Sequence, residues 1–469
     1  MDADTSKEHE QNRRDFLKLG ALAGLSALGA AGAAGCASGG RDRDGGAGLF
    51  GKRGAPRTKP YAGFAAPPME RVRIGYVGVG GMGSVHVANL LTIEGAEIRA
   101  VCDIVPEKVR RWQDEIEKRG LPRPAGYDRS PRDFERLCET EDLDLVYTAT
   151  PWEWHVPVCL AAMRNGKHAA TEVPAAYMVD DCWALVETAE KYRKHCVMME
   201  NCCYDRAEMM VLNMVRHGVL GEVLHAECGY LHDLRGVKFA REGEGLWRRS
   251  HAMYRNGNLY PTHGLGPVAQ CMDVNRGDRL DYLVSMSGPS RGLQLWQKEH
   301  LEADDPRRLE RYLLGDLNLT LIRTVRGRTI YLVHDTNLPR PYSRIFLVQG
   351  THGLYMGYPD RFHIEGRTEG HGWDKGLDKY AEEFEHPLWR KDAVREATAG
   401  HGGMDWLEDW RLIECLRQGR PTDMDVYDAA AWSVIGELTE RSVARRSRPQ
   451  DVPDFTRGQW RGRGPVDLA

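Results

Sequence analysis

The sequence lacks an excess of positive charge. It contains 64 Lys and Arg against 68 Asp and Glu, which gives a formal net charge of -4. Proteins that bind nucleic acid use a basic excess to neutralise phosphates. This composition therefore argues against a nucleic-acid partner. The sequence also lacks a repeat of fixed period, which argues against a solenoid or a propeller.

The sequence lacks the cysteine spacing that is typical of a metal site, although it has 11 cysteines. Cys202 and Cys203 are adjacent, which is a poor geometry for a disulfide between them. Others, such as Cys102 and Cys159, fall within apolar runs. We therefore expect mostly buried, free thiols and no metal site.

Long apolar runs are absent outside the N-terminus. The run from Leu19 to Ala34 is too short and too rich in Gly for a membrane span. It follows a twin-arginine pattern at 13–18 and precedes Ala33-Ala34-Gly35-Cys36, which resembles a bacterial lipobox. We predict that residues 1–36 are a twin-arginine export signal, so that the protein is periplasmic or at the cell surface. A lipid anchor at Cys36 and simple cleavage are the two alternatives.

Composition divides the rest of the chain into four parts. Residues 37–70 are rich in Gly, Arg, Ala and Pro, which is typical of a flexible linker. We predict a nucleotide-binding domain over 71–202, a second α/β domain over 203–455 that carries the substrate site, and a C-terminal tail over 456–469.

A glycine-rich turn opens the first of these domains. A predicted strand over 71–77 runs into Gly78-Val79-Gly80-Gly81-Met82-Gly83, and a helical segment follows. The three glycines of a G-x-G-x-x-G motif permit a tight turn, close approach to a pyrophosphate and close packing of helix on strand. Asp103 ends the next strand, 20 residues after Gly83, where a carboxylate binds ribose hydroxyls and repels a 2′-phosphate. The motif therefore predicts NAD rather than NADP, bound by Gly78, Gly80, Gly81, Met82, Gly83 and Asp103.

Strands and helices continue to alternate after the glycine turn. Strands are predicted over 144–150, 167–171 and 196–200, with helices from 152 to 165 and from an Asp180 cap to about His195. This alternation predicts a doubly wound parallel sheet of the Rossmann type, in which ligands bind at the carboxyl ends of strands. The residues expected at those ends, on the nicotinamide side, are Trp152, Glu153, Trp154, His155, Glu172, Val173 and Asn201.

The second domain has a different pattern. After a predicted helix over 205–217, strand-like runs occur at 223–230, 282–286, 317–324, 329–335 and 344–349. Helices are predicted over 406–418 and 427–444. We therefore expect a large mixed, mostly antiparallel sheet with helices on one face.

One loop of the second domain combines Tyr, Thr and His between Gly and Pro residues. It reads Tyr260-Pro261-Thr262-His263-Gly264 and stands at a predicted helix start. Loops of this composition on a rigid scaffold often carry chemistry. From the residues alone, a hydrogen-bonded structural histidine at a helix start is the favoured interpretation of His263, and only the family resemblance given below favours a catalytic role.

The order of elements resembles the Gfo/Idh/MocA oxidoreductase fold over roughly residues 70 to 455. A finer resemblance is to glycoside hydrolase family 109, the NAD-dependent α-N-acetylgalactosaminidases. The segments that carry it are 171–174 (TEVP), 200–201 (EN), 259–264 (LYPTHG), 341–344 (PYSR) and 402–405 (GGMD). In the net dehydrogenases of the superfamily a lysine occupies the position of Val173, so this residue argues against simple sugar dehydrogenation.

The resemblance implies a glycosidase that uses tightly bound NAD without net oxidation. It implies Tyr260 and His263 as the acid/base pair. The implied sugar-binding residues are Tyr230, Arg248, Pro261, Thr262 and Tyr342. Three alternatives stay open: this glycosidase, a net sugar or polyol dehydrogenase, and a non-catalytic NAD-binding sensor. The superfamily analogy also implies a homodimer formed through the second-domain sheet.

Overall fold

A computed structural model describes residues 61–396, 401–466 and 468. The predicted export signal and Cys36 lie outside these residues. Within the described part, no helix has the length and apolar character needed to cross a bilayer. Its ten cysteines are all free and buried, as the sequence predicted.

The first domain contains a six-stranded, fully parallel sheet, so the predicted fold class is confirmed. Its strands lie in the order β3-β2-β1-β4-β5-β6. They are β1 (Val72–Val77), β2 (Ala96–Cys102), β3 (Ala125–Tyr127), β4 (Leu145–Thr148), β5 (His168–Thr171) and β6 (Cys196–Met198). The sequence pattern missed β3 because three residues are too few to show a period.

Helices connect these strands on both faces of the sheet. They are α1 (Gly81–Leu90), α2 (Pro106–Lys118), α3 (Asp133–Thr140), α4 (Trp152–Arg164) and α5 (Val179–Tyr192). The prediction that Asp180 caps α5 is wrong. Met178 is the N-cap residue, and Asp180 lies in the first turn, where a negative charge still interacts favourably with the helix dipole.

The second domain contains a nine-stranded sheet in the order β14-β13-β12-β11-β7-β10-β9-β8-β15. Only the β7–β10 pair is parallel, so the sheet is mixed and mostly antiparallel, as predicted. Its strands are β7 (Val223–Leu231), β8 (Leu280–Ser287), β9 (Asn318–Thr324), β10 (Thr329–Asp335), β11 (Leu347–Gly350), β12 (Gly353–Met356), β13 (Arg361–Ile364), β14 (Asp374–Lys375) and β15 (Gln450–Asp451). The strand predicted from Arg344 begins three residues later, because Ile345 and Phe346 have positive φ angles.

The remaining helices follow the first domain in the chain. They are α6 (Arg206–Arg216), α7 (Arg235–Phe239), α8 (Arg248–Tyr254), α9 (Thr262–Cys271), α10 (Gly292–His300), α11 (Asp378–Phe384), α12 (Asp392–Glu396), α13 (Met404–Gln418), α14 (Val426–Ser433) and α15 (Ile435–Ala444). The single helix predicted over 427–444 is wrong. It is two helices that meet at Val434.

One face of the large sheet is covered and the other is open. Helix α9 packs against β7 and α15 packs against β8. On the opposite face, Met286, Leu319 and Leu321 are exposed to 63%, 40% and 56%. Strands β8 and β9 place Leu319 opposite Met286, so these side chains form one apolar row.

The C-terminal helices return to the first domain. Helix α13 packs against α1, and α14 packs against α5 and β6. Within the last ten residues of the predicted linker, Tyr61 is buried and its hydroxyl donates to the Lys194 carbonyl at 2.6 Å. Within the predicted tail, Thr456 is fully buried and the Trp460 carbonyl accepts from the Gly277 amide at 2.7 Å.

Candidate active site

The glycine turn joins β1 to α1. Gly78 has a φ of +86°, and a Cβ atom at Gly83 would lie 1.9 Å from the Gly78 carbonyl oxygen. Only glycine therefore permits the helix to start this close to the strand. At Gly81, by contrast, a Cβ would meet no protein atom within 4 Å. The turn is tight on its protein side and open on the other, where Met82 follows in the first turn of α1.

Asp103 fixes the loop against the end of β2. One carboxylate oxygen accepts from the Val79 amide at 3.0 Å, and the other accepts from the Val105 amide at 2.9 Å. The N-terminus of α1, which follows Gly80, has no side-chain cap and no acidic residue in its first turn. Its free amides and positive dipole end are suited to a pyrophosphate. These residues fit a dinucleotide.

Helix α4 begins at the carboxyl end of β4, but its first residues face different surroundings. Trp152 is buried and lies 5.7 Å from the Tyr260 ring, between ring centroids. Trp154 instead packs on Phe134 of α3. One Glu153 carboxylate oxygen is buried without a partner, and burial raises the pKa of this group.

His155 links the ends of two strands. Its ring nitrogens lie 2.8 Å from the Pro174 and Thr150 carbonyl oxygens. Burial lowers its pKa, so the neutral ring donates to one carbonyl at a time. At the end of β5, Val173 is buried and its amide donates to a Glu172 carboxylate oxygen at 3.1 Å.

An aromatic cluster surrounds Tyr260. The ring centroids of Tyr230 and His263 lie 4.6 and 4.8 Å from that of Tyr260. Gly264 permits this arrangement, because a Cβ there would lie 2.5 Å from the Gly229 amide of β7. The start of α9 therefore rests directly on the end of β7. The sequence-predicted residues Trp152, Tyr230, Tyr260 and His263 are brought together.

Arg248 supplies positive charge to this cluster. It is 8% exposed, and its guanidinium carbon lies 5.2 Å from the Trp152 ring centroid and 5.3 Å from that of Tyr260. It forms an ion pair with Glu244 at 2.9 Å. Burial raises the pKa of Tyr260 well above its usual value, although Arg248 partly opposes this. At neutral pH Tyr260 is therefore a neutral phenol, with a proton available for a hydrogen bond to a ligand.

Tyr342 closes one side of the cluster, at 36% exposure. Its ring lies 6.1 Å from Tyr230, whose hydroxyl lies 2.9 Å from His232 Nδ1. Arg344 donates to the Tyr342 hydroxyl at 3.2 Å and to the Glu208 carboxylate at 2.6 Å. Tyr342 is therefore held by a buried ion pair.

Pro261 and Thr262 lie between the two central residues of the loop. Pro261 is the N-cap residue of α9. Thr262 is fully buried, and its hydroxyl has no hydrogen-bond partner. The Thr262 side chain is thus enclosed by protein atoms.

His263 pairs with a buried carboxylate. Its Nδ1 lies 2.7 Å from Glu200 Oε1, and Glu200 is fully buried. The carboxylate selects the tautomer with the proton on Nδ1, which leaves Nε2 as a proton acceptor. Glu200, Cys202 and His263 also bring possible metal ligands within 4.8 Å of one another. Two ligand atoms of one tetrahedral zinc ion lie about 3.3 Å apart. The 2.7 Å distance between His263 Nδ1 and Glu200 Oε1 is shorter than this, so the contact is a hydrogen bond. The prediction of no metal site stays a prediction.

A second histidine and carboxylate pair lies beside Asn201. The Asn201 amide donates to Asp405 Oδ1 at 2.7 Å, and His401 Nδ1 lies 2.9 Å from Asp405 Oδ2. Burial alone would raise the pKa of Asp405, but its contacts with His401 outweigh this and lower the pKa to about 2. The same hydrogen bond raises the pKa of His401. The His401 side chain is 58% exposed, so this pair can exchange protons with solvent or ligand.

Sequence reasoning assigned no role to Glu200, His232, His401 or Asp405. Glu200 and Asp405 fall within short family-like segments, and a polar residue directly after a buried strand was a usable signal for Glu200. His232 and His401 lie only two and four residues from their partners Tyr230 and Asp405, but neither spacing is a motif that identifies a site. The contact of Asp405 with Asn201, 204 residues earlier, appears only in the folded structure.

Family models match both halves of the chain. Residues 204–462 match the C-terminal domain of glycosyl hydrolase 109, and residues 72–200 match the NAD-binding Rossmann fold of an oxidoreductase family. A glycosyl hydrolase family 109 protein of Solibacter usitatus is 49% identical over 97% of this chain and 99% of its own length. A relative with the same description from Shewanella pealeana is 48% identical over 87% of this chain and 90% of its own length.

Solved structures show the same fold at low identity. Levoglucosan dehydrogenase in complex with NADH and L-sorbose is 18% identical, with a TM-score of 0.65 over 82% of this chain and all of its own. A scyllo-inositol dehydrogenase from Lactobacillus casei with NAD(H) and scyllo-inositol is 14% identical, with a TM-score of 0.58 over 81% of this chain and 99% of its own. The C-terminal match, the near-complete coverage of a curated relative and the NAD-binding first domain together show that this chain is an NAD-binding member of glycosyl hydrolase family 109.

Proposed function

We propose that this protein is a glycosidase that acts on α-N-acetylgalactosaminides with NAD as a catalytic, non-consumed cofactor. The observation that carries the proposal is the Glu200–His263 pair beside Tyr260. It puts a proton acceptor and a phenol donor at the meeting point of the NAD-binding domain and the family 109 domain. The choice of sugar rests on the family resemblance.

NAD bound in this crevice would supply a reversible hydride acceptor, so that a ring hydroxyl can become a ketone for part of the cycle. A ketone acidifies the proton on the neighbouring carbon, and loss of that proton permits the leaving group on the next carbon to depart. Water would then add to the resulting double bond, and return of the hydride to the ketone would close the cycle without net oxidation. This route needs a general base and hydrogen-bond donors to sugar oxygens.

The residues divide these tasks by their chemistry. His263 Nε2 is the proposed base, because Glu200 holds the proton on Nδ1. Tyr260 keeps its proton and is the proposed donor to a sugar oxygen. His401, with its raised pKa and exposed ring, is the second group able to deliver a proton. Arg248, Tyr230 and Tyr342 are the proposed contacts to sugar hydroxyls.

Three largely buried carboxylates, Glu172, Glu200 and Asp405, support this route over direct displacement. A direct mechanism uses a pair of carboxylates about 5–10 Å apart, one of them free to act as nucleophile or base. Glu200 and Asp405 each accept a hydrogen bond from a histidine, at 2.7 and 2.9 Å. Glu172 is bonded in the same way by His86, at 2.7 Å. These carboxylates are therefore committed as histidine partners.

The test is turnover of an aryl α-glycoside of N-acetylgalactosamine in deuterium-enriched water, with the absorbance of reduced nicotinamide recorded. Aryl release with deuterium at C2 and no net NADH is the expected result. Tyr260→Phe and His263→Ala should abolish release and retain NAD. Tyr331→Phe on the outer sheet face and His300→Ala on α10 are matched controls that should behave as the unmodified protein. Activity that survives both site changes would refute the assignment.

A net sugar or polyol dehydrogenase is the second candidate function. The fold similarity to levoglucosan and inositol dehydrogenases favours it. The buried Val173 at the end of β5 argues against it, because a lysine is expected there in such enzymes. Steady accumulation of NADH with free sugars, without release of aryl groups, would establish it. Binding of NAD with neither reaction would leave the sensor alternative.

We also propose that the protein is exported and forms a homodimer. The export proposal rests on the twin-arginine pattern before Leu19 and on Cys36 as a lipidation site. A signal-bearing fusion should be secreted by a normal strain and retained by a strain that lacks the twin-arginine route.

The dimer proposal is supported by the exposed apolar row of Met286, Leu319 and Leu321. Leu321→Arg should convert a dimer to a monomer in light scattering.

A further inference from the structure

A histidine outside the predicted site lies between two carboxylates. His86 of α1 is fully buried. Its Nε2 lies 2.7 Å from Glu172 Oε1, and its Nδ1 lies 2.9 Å from both oxygens of Asp409 on α13. This chain of side chains connects the end of β5 to helix α13.

The contacts define the charge of the ring. An ionised carboxylate only accepts hydrogen bonds, so both ring nitrogens of His86 must carry protons to satisfy both partners. Burial alone would lower the pKa of His86, but the charges and hydrogen bonds of Asp409 and Glu172 together outweigh it and raise the pKa well above its usual value. Asp409 also accepts from Asn89 at 3.0 Å and from the Tyr147 hydroxyl at 3.1 Å. Burial raises the pKa of Asp409 even beside His86, but the hydrogen bonds that it accepts from Asn89 and Tyr147 favour its ionised form. His86 is therefore an imidazolium between two carboxylates.

Glu172 is the member of this chain that reaches the crevice. Its side chain is 16% exposed, whereas His86 and Asp409 are completely enclosed. Strand β5 belongs to the half of the sheet beyond the β1–β4 switch point. The glycine turn and Asp103 occupy the other half, which takes the adenosine end, so β5 faces the nicotinamide end of a dinucleotide.

Glu172 is poorly suited to accept a proton. Burial alone would raise its pKa, but the hydrogen bond and the charge of His86 outweigh burial and lower the pKa. Both oxygens are also occupied from the protein side, by His86 and by the Val173 amide. What remains is a fixed negative charge at the nicotinamide end of the crevice.

We propose that His86 is a positioning residue that keeps Glu172 ionised and immobile, and that the Glu172 charge sets the balance between NAD⁺ and NADH in the bound cofactor. The nicotinamide ring is positive when oxidised and neutral when reduced. A nearby anion in a water-poor site therefore stabilises the oxidised form. This favours return of the cofactor to NAD⁺ at the end of each cycle.

The experiment measures the NADH:NAD⁺ ratio of the purified holoprotein at equilibrium with a dye couple of known potential. Glu172→Gln removes the charge with almost no change of shape. His86→Gln removes the cation, after which the buried Glu172 carboxyl takes up a proton. Both variants should raise the ratio by about tenfold or more, which corresponds to about 30 mV for a two-electron couple. Tyr147→Phe is the matched control, because it removes a hydroxyl from the same buried group without removing a charge.

The outcomes are distinct. A raised ratio in Glu172→Gln and His86→Gln, with Tyr147→Phe unchanged, supports the proposal. An unchanged ratio in Glu172→Gln overturns it, as does an equal shift in Tyr147→Phe, which would indicate a purely structural effect. If His86→Gln does not fold, Glu172→Gln decides alone, since its side chain reaches the crevice. The measurement requires bound NAD and no sugar turnover, so it is independent of the glycosidase proposal.

Discussion

The contact between Glu200 and His263 can be tested by a change of one atom. In Glu200→Gln the side chain keeps its size but loses its charge. The glutamine amide can donate to His263 Nδ1, which would put the histidine proton on Nε2 and remove the proposed base. We therefore expect a large fall in kcat with little change in the binding of NAD.

The magnitude follows from the kind of hydrogen bond that is lost. A hydrogen bond to a charged group contributes about 1.5–3 kcal/mol of net free energy. Because about 1.4 kcal/mol corresponds to a tenfold change in rate, kcat should fall by about 10- to 150-fold. The 2.7 Å contact and the complete burial of Glu200 favour the upper part of this range. The reversed tautomer adds to the loss.

The assay is release of an aryl group from the α-glycoside of N-acetylgalactosamine, with thermal unfolding and NAD content measured on the same samples. Glu190→Gln is the matched control. Glu190 is also a buried carboxylate, but it pairs with Arg457 at 2.7 Å and with the Tyr427 hydroxyl at 2.9 Å, away from the aromatic cluster. If Glu200→Gln keeps the kcat of the unmodified protein, or loses no more than Glu190→Gln, the role assigned to this contact is wrong.

Four further outcomes are expected. Burial lowers the pKa of Lys238 to about 7, below its unfolded value of 10.5, so the folded state binds fewer protons between these pH values and gains stability as pH rises. In denaturant titrations, the unfolding free energy of the unmodified protein minus that of Lys238→Met should rise by about 1.4 kcal/mol per pH unit between pH 7 and 10.5. Arg344→Met removes the cation beside the buried Glu208, whose pKa burial raises to about 8 even in its presence. The carboxyl should then take up a proton, and the lost hydrogen bonds should cost about 1–3 kcal/mol of unfolding free energy, so an unchanged unfolding free energy would contradict this. Gly83→Ala should abolish NAD binding in equilibrium dialysis, because its Cβ would lie 1.9 Å from the Gly78 carbonyl oxygen, whereas Gly81→Ala should fold normally. An aryl thioglycoside should be cleaved, since elimination needs little protonation of the leaving atom; complete resistance beside rapid cleavage of the oxygen glycoside would count against elimination.

The sequence predicted the first domain well because its signals are local. The glycine turn, Asp103 and the strand end at Glu172 follow from periodicity and from where buried strands stop. The predicted strand over 196–200 is two residues too long, because β6 ends at Met198 and a 3-10 turn follows. Strand β3 was missed because it has three residues. The break at Val434 was missed because apolar residues continue across it.

The site was predictable only in part, because half of it consists of contacts between distant segments. Tyr260 and His263 stand in a distinctive loop, so sequence reasoning found them. The partner of His263 is Glu200, 63 residues earlier, and the partner of Asn201 is Asp405, 204 residues later. Periodicity carries no information about such pairs. Trp154 shows the limit of sequence proximity. It lies two residues from Trp152, but its ring packs on Phe134, whereas the Trp152 ring packs beside Tyr260.

The return of α13 to the first domain bears on how the protein is made. His86 and Asp409 are 323 residues apart. At a synthesis rate of about 5–20 residues per second, roughly 15–65 s pass between the synthesis of His86 and that of Asp409. Until then the nascent nucleotide-binding half holds a histidine that has Glu172 as a partner but lacks Asp409. A chain released before α13 should consequently retain less NAD in equilibrium dialysis than the full chain.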